Sequence, residues 1–290
     1  MVSSAVMIAL AECTWPEARK LARDPRAVVL LPLGAVEQHG PHLPLLVDWL
    51  GGEELARRVA PHLERAGYRP ILAPALPYGV STLAIEWSGT VSLSVATLRR
   101  VIVDIVGNLA RHGFRRFVLA NYQADPDHLR AMASARRVLE RTHHVQVLYA
   151  GFAPDARGDT AMVNPRVLAL MRSPRPDREW HAGELETALV LARRPDLVRR
   201  RLLRRLPAVW LDFRKSLREG ARRFEEIDRR SRAQGYFGWP AAARPRTAER
   251  AMALRGRLIA RELVASLQAW KSERPSRGRR GSRRGGPRYS

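Results

Sequence analysis

Four short apolar runs, at residues 28–33, 70–74, 117–120 and 145–149, recur between segments with helical periodicity, and this alternation restricts the fold more than any other feature. The first reads Val-Val-Leu-Leu-Pro-Leu, with no polar side chain to turn toward water. A strand of that kind is covered on both faces, as in a parallel sheet. The stretches 17–23, 51–66, 94–112, 126–141, 184–192 and 249–270 read as helices. In the third of these Val95, Leu98, Ile102, Ile105, Val106 and Leu109 share one face, and Gly113 stands where a helix ends. Strands alternating with amphipathic helices predict a three-layer α/β/α fold, a mostly parallel sheet with helices on both faces. Residues 195–245 carry a less regular pattern and are read as helical excursions around the functional site.

The first run leads into Glu37, Gln38, His39, Gly40, Pro41 and His42, and Asp48 follows six residues later. Polar side chains at the carboxyl end of a buried strand lie where open α/β sheets bind ligands. Glu37 and His39 are two apart and share a face if the backbone stays extended, and Asp48 can return from the next turn. Carboxylate oxygen with imidazole nitrogen is the donor mix of zinc or manganese rather than calcium.

Composition bears on compartment and partners. No run approaches the ~20 apolar residues of a membrane span, and residues 5–11 are too short, and lack the basic flank, for a secretory signal. The single cysteine, Cys13, leaves no internal disulfide and fits a reducing cytoplasm. Part of the net charge of +23 sits at residues 271–290, where eight basic residues and one acidic residue stand among Gly, Ser and Pro. That segment is expected to be a disordered basic tail following a domain of residues 1–270. Its expected consequence is weak, salt-sensitive attraction to nucleic acid rather than specific binding.

Residues 32–48 carry the pattern P-x-G-[AS]-x-E-Q-H-G-P-H-L-P-x-x-x-D without a departure. On this segment the chain closely resembles the creatininase (creatinine amidohydrolase) family. The resemblance runs over roughly residues 13–270 and returns at four further places. Tyr78-Gly79-Val80-Ser81 and Ser88-Gly89-Thr90-Val91-Ser92-Leu93 are similar to the family's Y-G-x-S…F-P-G-T-x-S-L loop, with Ala84 where many members have His. Asn121-Tyr122-Gln123-Ala124-Asp125-Pro126 stands in place of N-G-H-G-G-N, which puts Gln123 at the position of a metal-binding His. Asp125 matches a carboxylate ligand of the creatininases proper, and it equally reads as a helix N-cap before Pro126. Glu179-Trp180-His181-Ala182-Gly183-Glu184-Leu185-Glu186-Thr187 resembles D-x-H-A-G-x-x-E-T-S, and residues 235–240 resemble a late G-x-x-G-x-P block to which no chemistry is assigned.

What the resemblance implies is a centre of two zinc or manganese ions per subunit. Asp48 would bridge, Glu37 and His39 would each hold a different ion, and Asp125 and Glu186 would add carboxylates. Gln123 weakens the second ion's site, because a carboxamide is a poor zinc ligand, and Asp127 and His128, one turn into the next helix, are the residues placed to compensate. His181, oriented by Glu179, would move a proton, and Ser81, Tyr122 and Trp180 would contact the substrate. The implied reaction is hydrolysis of a non-peptide C–N bond, in a cyclic amide, formamide or similar small molecule, by a metal-activated water. A non-catalytic binding or assembly protein that kept the fold is the alternative. The resemblance also implies a homo-oligomer, often a hexamer.

Overall fold

The computed structural model describes residues 7–154, 161–231 and 234–270; the tail expected at 271–290 lies outside the described residues. Five strands, β1 (Ile8–Ala9), β2 (Ala27–Leu33), β3 (Arg69–Leu72), β4 (Arg116–Asn121) and β5 (Gln146–Gly151), form one parallel sheet in the order β1-β3-β2-β4-β5. Its helices are α1 (Trp15–Arg23), α2 (Val47–Arg65), α3 (Val95–His112), α4 (Pro126–His143), α5 (Pro165–Leu168), α6 (Glu184–Arg193), α7 (Arg200–Leu203), α8 (Phe213–Arg218), α9 (Phe224–Ser231) and α10 (Pro245–Ala269). The three-layer parallel architecture agrees with the alternation in the sequence. Two-residue β1, at the sheet edge, has no sequence signature.

Successive residues of a strand face opposite sides, and the two cores follow that rule. Val28 and Leu30 of β2 pack with Leu55, Val59 and Leu63 of α2 and Met252, Ile259 and Leu263 of α10. Val29, Leu31 and Leu33 pack on the other face with Leu98, Ile102 and Val106 of α3 and Met132, Ala135 and Leu139 of α4. Each such side chain, fully buried, contributes about 1.5–3 kcal/mol. That repeated contribution explains why the strands carry no polar face.

The chain passes from β2 through α2 to β3 on one side, then from β3 through α3 to β4 on the other. The direction of winding therefore reverses at β2 and β4, and the crevice beyond their carboxyl ends is the binding position of such folds. Helix α2 starts at Val47, ahead of the expected 51, so Asp48 lies in its first turn. Gly51 and Gly52 make this possible. A Cβ on Gly52 would meet the Leu33 carbonyl oxygen at 2.4 Å, and one on Gly51 would meet the Tyr122 ring at 2.3 Å. Without those atoms α2 lies close on the ends of β2 and β4 and carries Asp48 to the crevice.

On the opposite side of the crevice, Asp125 caps α4 by accepting the Asp127 N–H, with Pro126 opening the helix. The region 195–245 does contain short helices; the bridge Val209–Gly238 ties it together and the bridge His181–Phe237 fastens it to the site. Among the described residues no helix is long and apolar enough to cross a membrane.

Candidate metal centre

Glu37, His39 and Asp48 come together at the carboxyl end of β2, all of them buried. The Glu37 N–H donates to the Leu45 carbonyl, which closes the loop back toward α2. His39 Nδ1 lies 3.1 Å from the Glu37 carbonyl oxygen. A carbonyl only accepts, so Nδ1 carries the proton and Nε2 presents its lone pair. That lone pair faces Asp48 Oδ1 at 3.5 Å and Glu186 Oε2, from the first turn of α6, at 3.8 Å. His39 Nε2 and Asp48 Oδ2 are buried without a hydrogen-bond partner. Buried polar atoms almost always have partners, and a cation would supply one to both.

His181 completes a second group of converging ligand atoms with Glu37 and His39, beside the group His39, Asp48 and Glu186. Its Nε2 is 2.9 Å from the Gln38 carbonyl and 3.1 Å from the Gln38 side-chain nitrogen. The nearer carbonyl holds the proton on Nε2, which turns the Nδ1 lone pair toward Glu37 Oε1 at 4.0 Å. The ring lies between His39 (centroids 4.3 Å apart) and Phe224 (4.5 Å).

The electrostatics of this cluster ask for a cation. Burial, with the neighbouring Asp48 carboxylate, pushes Glu37 up to about 8. Burial also raises Asp48 well above its ordinary value and raises Glu186. His181 is held well below its ordinary value by burial and then by His39. Burial thus biases the carboxylates and His181 toward their neutral forms, and a divalent ion held there would offset that bias for the carboxylates and use an imidazole lone pair. Two carboxylates and one imidazole fit one zinc or manganese ion at His39, Asp48 and Glu186.

The other expected site residues are distributed differently. Gln123 does reach the cluster: its amide nitrogen donates to Glu37 Oε2, to Ser81 Oγ at 3.1 Å and to the Val80 carbonyl at 3.3 Å. Ser81 is therefore a buried partner of Gln123. Asp125 is not brought to the converging atoms. Its oxygens accept from Thr82 Oγ1, the Leu83 N–H and the Asp127 N–H. His128 stands outside as well, with Nδ1 accepting the Val80 N–H. Tyr122 faces the core, its ring at Gly51 and its hydroxyl accepting from Arg255. Glu179 does not orient His181; its oxygens accept the Glu184 N–H at the start of α6 and the Trp239 N–H. Trp180 packs with Ala84, Phe224 and Phe237 beside His181. His42 is buried, with Nε2 2.8 Å from Thr187 Oγ1.

The family model described as creatininase, creatinine amidohydrolase, matches residues 11–263. The chain belongs to the creatininase family. Against the creatinine amidohydrolase of Pseudomonas putida it is 37% identical over 204 residues, 64% of this chain and 72% of that protein. Against the mycofactocin precursor peptide peptidase of Mycolicibacterium smegmatis it is 31% identical over 170 residues, covering 58% of this chain and 59% of the relative. A solved Glu-to-Gln creatininase variant of Zn-Zn type superposes with a TM-score of 0.68 at 29% identity, over 89% of this chain and 98% of that one. A manganese creatininase gives 0.64 at 27% identity, over 90% and 98%.

Several residues that shape this creatininase-family centre carried no chemical signal in the sequence. Gln38 holds His181, and Gly235 makes room for it, since a Cβ there would meet Gln38 Oε1 at 2.4 Å. Phe224 walls the His181 ring, Phe237 packs on Phe224 and pairs with the His181 backbone, and Trp239 anchors Glu179. The late 235–240 block thus positions the site without reacting in it. Its glycines at positive φ, Gly235 (70°) and Gly238 (148°), were the available hint.

Proposed function

We propose that this chain is a metal-dependent amidohydrolase that opens a non-peptide C–N bond in a small cyclic amide, formamide or related molecule. The observation that carries this reading is the buried pair of unpartnered atoms, His39 Nε2 and Asp48 Oδ2, facing Glu186 at the switch point of the sheet. The reading takes the ion to be zinc or manganese, as in the solved relatives.

A divalent ion bound there supplies Lewis acidity and a water that ionises near neutral pH. The protein's own residues do the rest. His39 is fixed in the ligating tautomer by the Glu37 carbonyl. His181 turns its Nδ1 lone pair toward Glu37, where it can take a proton from the attacking water and pass it to the departing nitrogen. Phe224, Phe237 and Trp180 give this part of the site an apolar wall that favours a flat, compact substrate and excludes bulk water. A homo-oligomer in the cytoplasm, with a tail weakly attracted to nucleic acid, completes the proposal.

One observation favours a second reading. The Gln123 amide engages Glu37, a residue that the family resemblance assigns to an ion, and this suits a binding or assembly protein that has given up catalysis. Assay of a panel of small cyclic amides and formamides separates the two. Turnover that is lost to a chelator and restored by zinc or manganese supports the hydrolase. Absence of turnover across the panel, and on short precursor peptides, with metal bound supports the non-catalytic reading.

A further inference from the structure

We infer that this chain holds one divalent ion, on His39, Asp48 and Glu186, and that the Gln123 carboxamide replaces a second ion by hydrogen-bonding Glu37. This rests on the metal-dependent reading above and revises the two ions that the family resemblance implies.

The orientation of the Gln123 amide is fixed by two partners that allow no exchange. Its Oε1 accepts the Asp125 backbone N–H at 3.1 Å, and its Nε2 donates to the Val80 carbonyl at 3.3 Å. Flipping the amide would set oxygen against carbonyl and N–H against N–H. The group therefore turns protons, not a lone pair, toward Glu37. An N–H dipole with its positive end in that position repels a cation and satisfies the carboxylate in its place.

The remaining donors make a poorer site for a second ion. His39 has one lone pair, because its Nδ1 proton is committed to the Glu37 carbonyl. The two converging groups share His39, so it can serve an ion in only one of them. The group with Asp48 and Glu186 contains both unpartnered buried atoms and two carboxylates to balance a dication. Both Asp125 oxygens are taken up by Thr82, Leu83 and Asp127, whereas Glu186 accepts the Ala182 N–H at Oε2 and has a second oxygen to offer. What stays for a second ion alone is Glu37 Oε1 and His181 Nδ1, and the count reaches three only if Asp48 leaves part of its carboxylate for it. A zinc site is ordinarily built on three or four protein ligands.

The test is metal stoichiometry. The full chain is stripped with chelator, equilibrated with Zn2+, desalted and measured by plasma mass spectrometry. The expected result is one equivalent per chain, rising to two in Gln123→His. Glu186→Gln should weaken that ion at least ~100-fold, beyond the usual effect of losing an outer hydrogen-bond partner, while Glu37→Gln retains it. Two equivalents in the natural chain overturn the single-ion centre and leave the hydrolase reading standing. An ion that survives Glu186→Gln and departs with Glu37→Gln also overturns it. No bound ion overturns both readings together. If a variant fails to fold, Co2+ titration of the natural chain decides: visible absorption that stops growing after one equivalent supports the proposal, and growth to two refutes it.

Discussion

Removing the His128 imidazole should make the protein less sensitive to acid, although it costs stability at neutral pH. His128 is fully buried; its Nδ1 accepts the Val80 N–H, and its Nε2 has no hydrogen-bond partner. Burial lowers its pKa from 6.5 to about 3. The unfolded chain therefore takes up this proton as the pH falls below 6.5, whereas the folded chain refuses it until about 3. Stability from this group is complete above the unfolded value and drains away on acidification. Linkage at ~1.4 kcal/mol per unit gives a loss of about 2 kcal/mol at about pH 5, and about 4 kcal/mol near pH 3. The variant His128→Met removes the titration and leaves the Val80 N–H without an acceptor, a cost of about 1–3 kcal/mol at pH 7. Urea unfolding of both proteins at pH 7 and pH 5, followed by tryptophan fluorescence, reads the difference. The gap between natural chain and variant should narrow by about 2 kcal/mol at the lower pH; titrations elsewhere act on both proteins and cancel. A gap that stays constant or widens refutes the reasoning, because His128 would then be protonated in the folded protein or open to water.

Two further substitutions probe how the fold delivers the site. Gly34→Ala would put a Cβ 2.2 Å from the Trp49 nitrogen and 2.5 Å from the Asp48 carbonyl carbon. It should displace the first turn of α2, cost about 3 kcal/mol, the upper end of ordinary overpacking, and weaken metal binding, both read from a thermal melt with and without Zn2+. Buried Glu54 bonds Arg58 and Arg193, which also meet Glu249, and this joins α2, α6 and α10. Burial opposes its charge, but the two guanidiniums prevail and hold its pKa below 4.5. Its contribution is thus present above that value and lost as the pH falls through the lowered one. Because the arginine side chains are 27% and 29% exposed, Glu54→Ala should cost about 1–3 kcal/mol rather than the full value of a buried pair, measured by denaturant unfolding at neutral pH; no loss would show the network to be surface decoration.

The layered fold was legible because parallel strands buried on both faces leave an unbroken apolar trace, as residues 28–33 and 117–120 do. The start of α2 was not. Gly51 and Gly52 read as the head of the helix, yet they lie one turn inside it, where their missing side chains admit Tyr122 and the Leu33 carbonyl. The ligand candidates Glu37, His39, Asp48 and Glu186 follow from residue type, spacing and family resemblance. What their neighbours do depends on which way each side chain turns, and spacing does not record that. Asp125 and Glu179 are spaced like site carboxylates, but both are taken up by backbone N–H groups at the starts of α4 and α6. Tyr122 directs its hydroxyl to Arg255 in the core. Gln38, Phe224 and Phe237 reach His181 only through long-range pairings such as His181–Phe237, which have no local signature.

The most direct measurement is the zinc affinity of Asp48→Ala and His42→Ala beside the natural chain, by chelator competition, with hydrolysis of the small amide panel followed in parallel. Asp48 faces His39 Nε2 in the converging group, whereas His42 is bonded to Thr187 outside it. Asp48→Ala should lower zinc affinity at least ~100-fold and abolish turnover, while His42→Ala should stay within ~10-fold, as expected for a residue outside the ligands. Equal losses in the two variants would contradict the placement of the ion at Asp48.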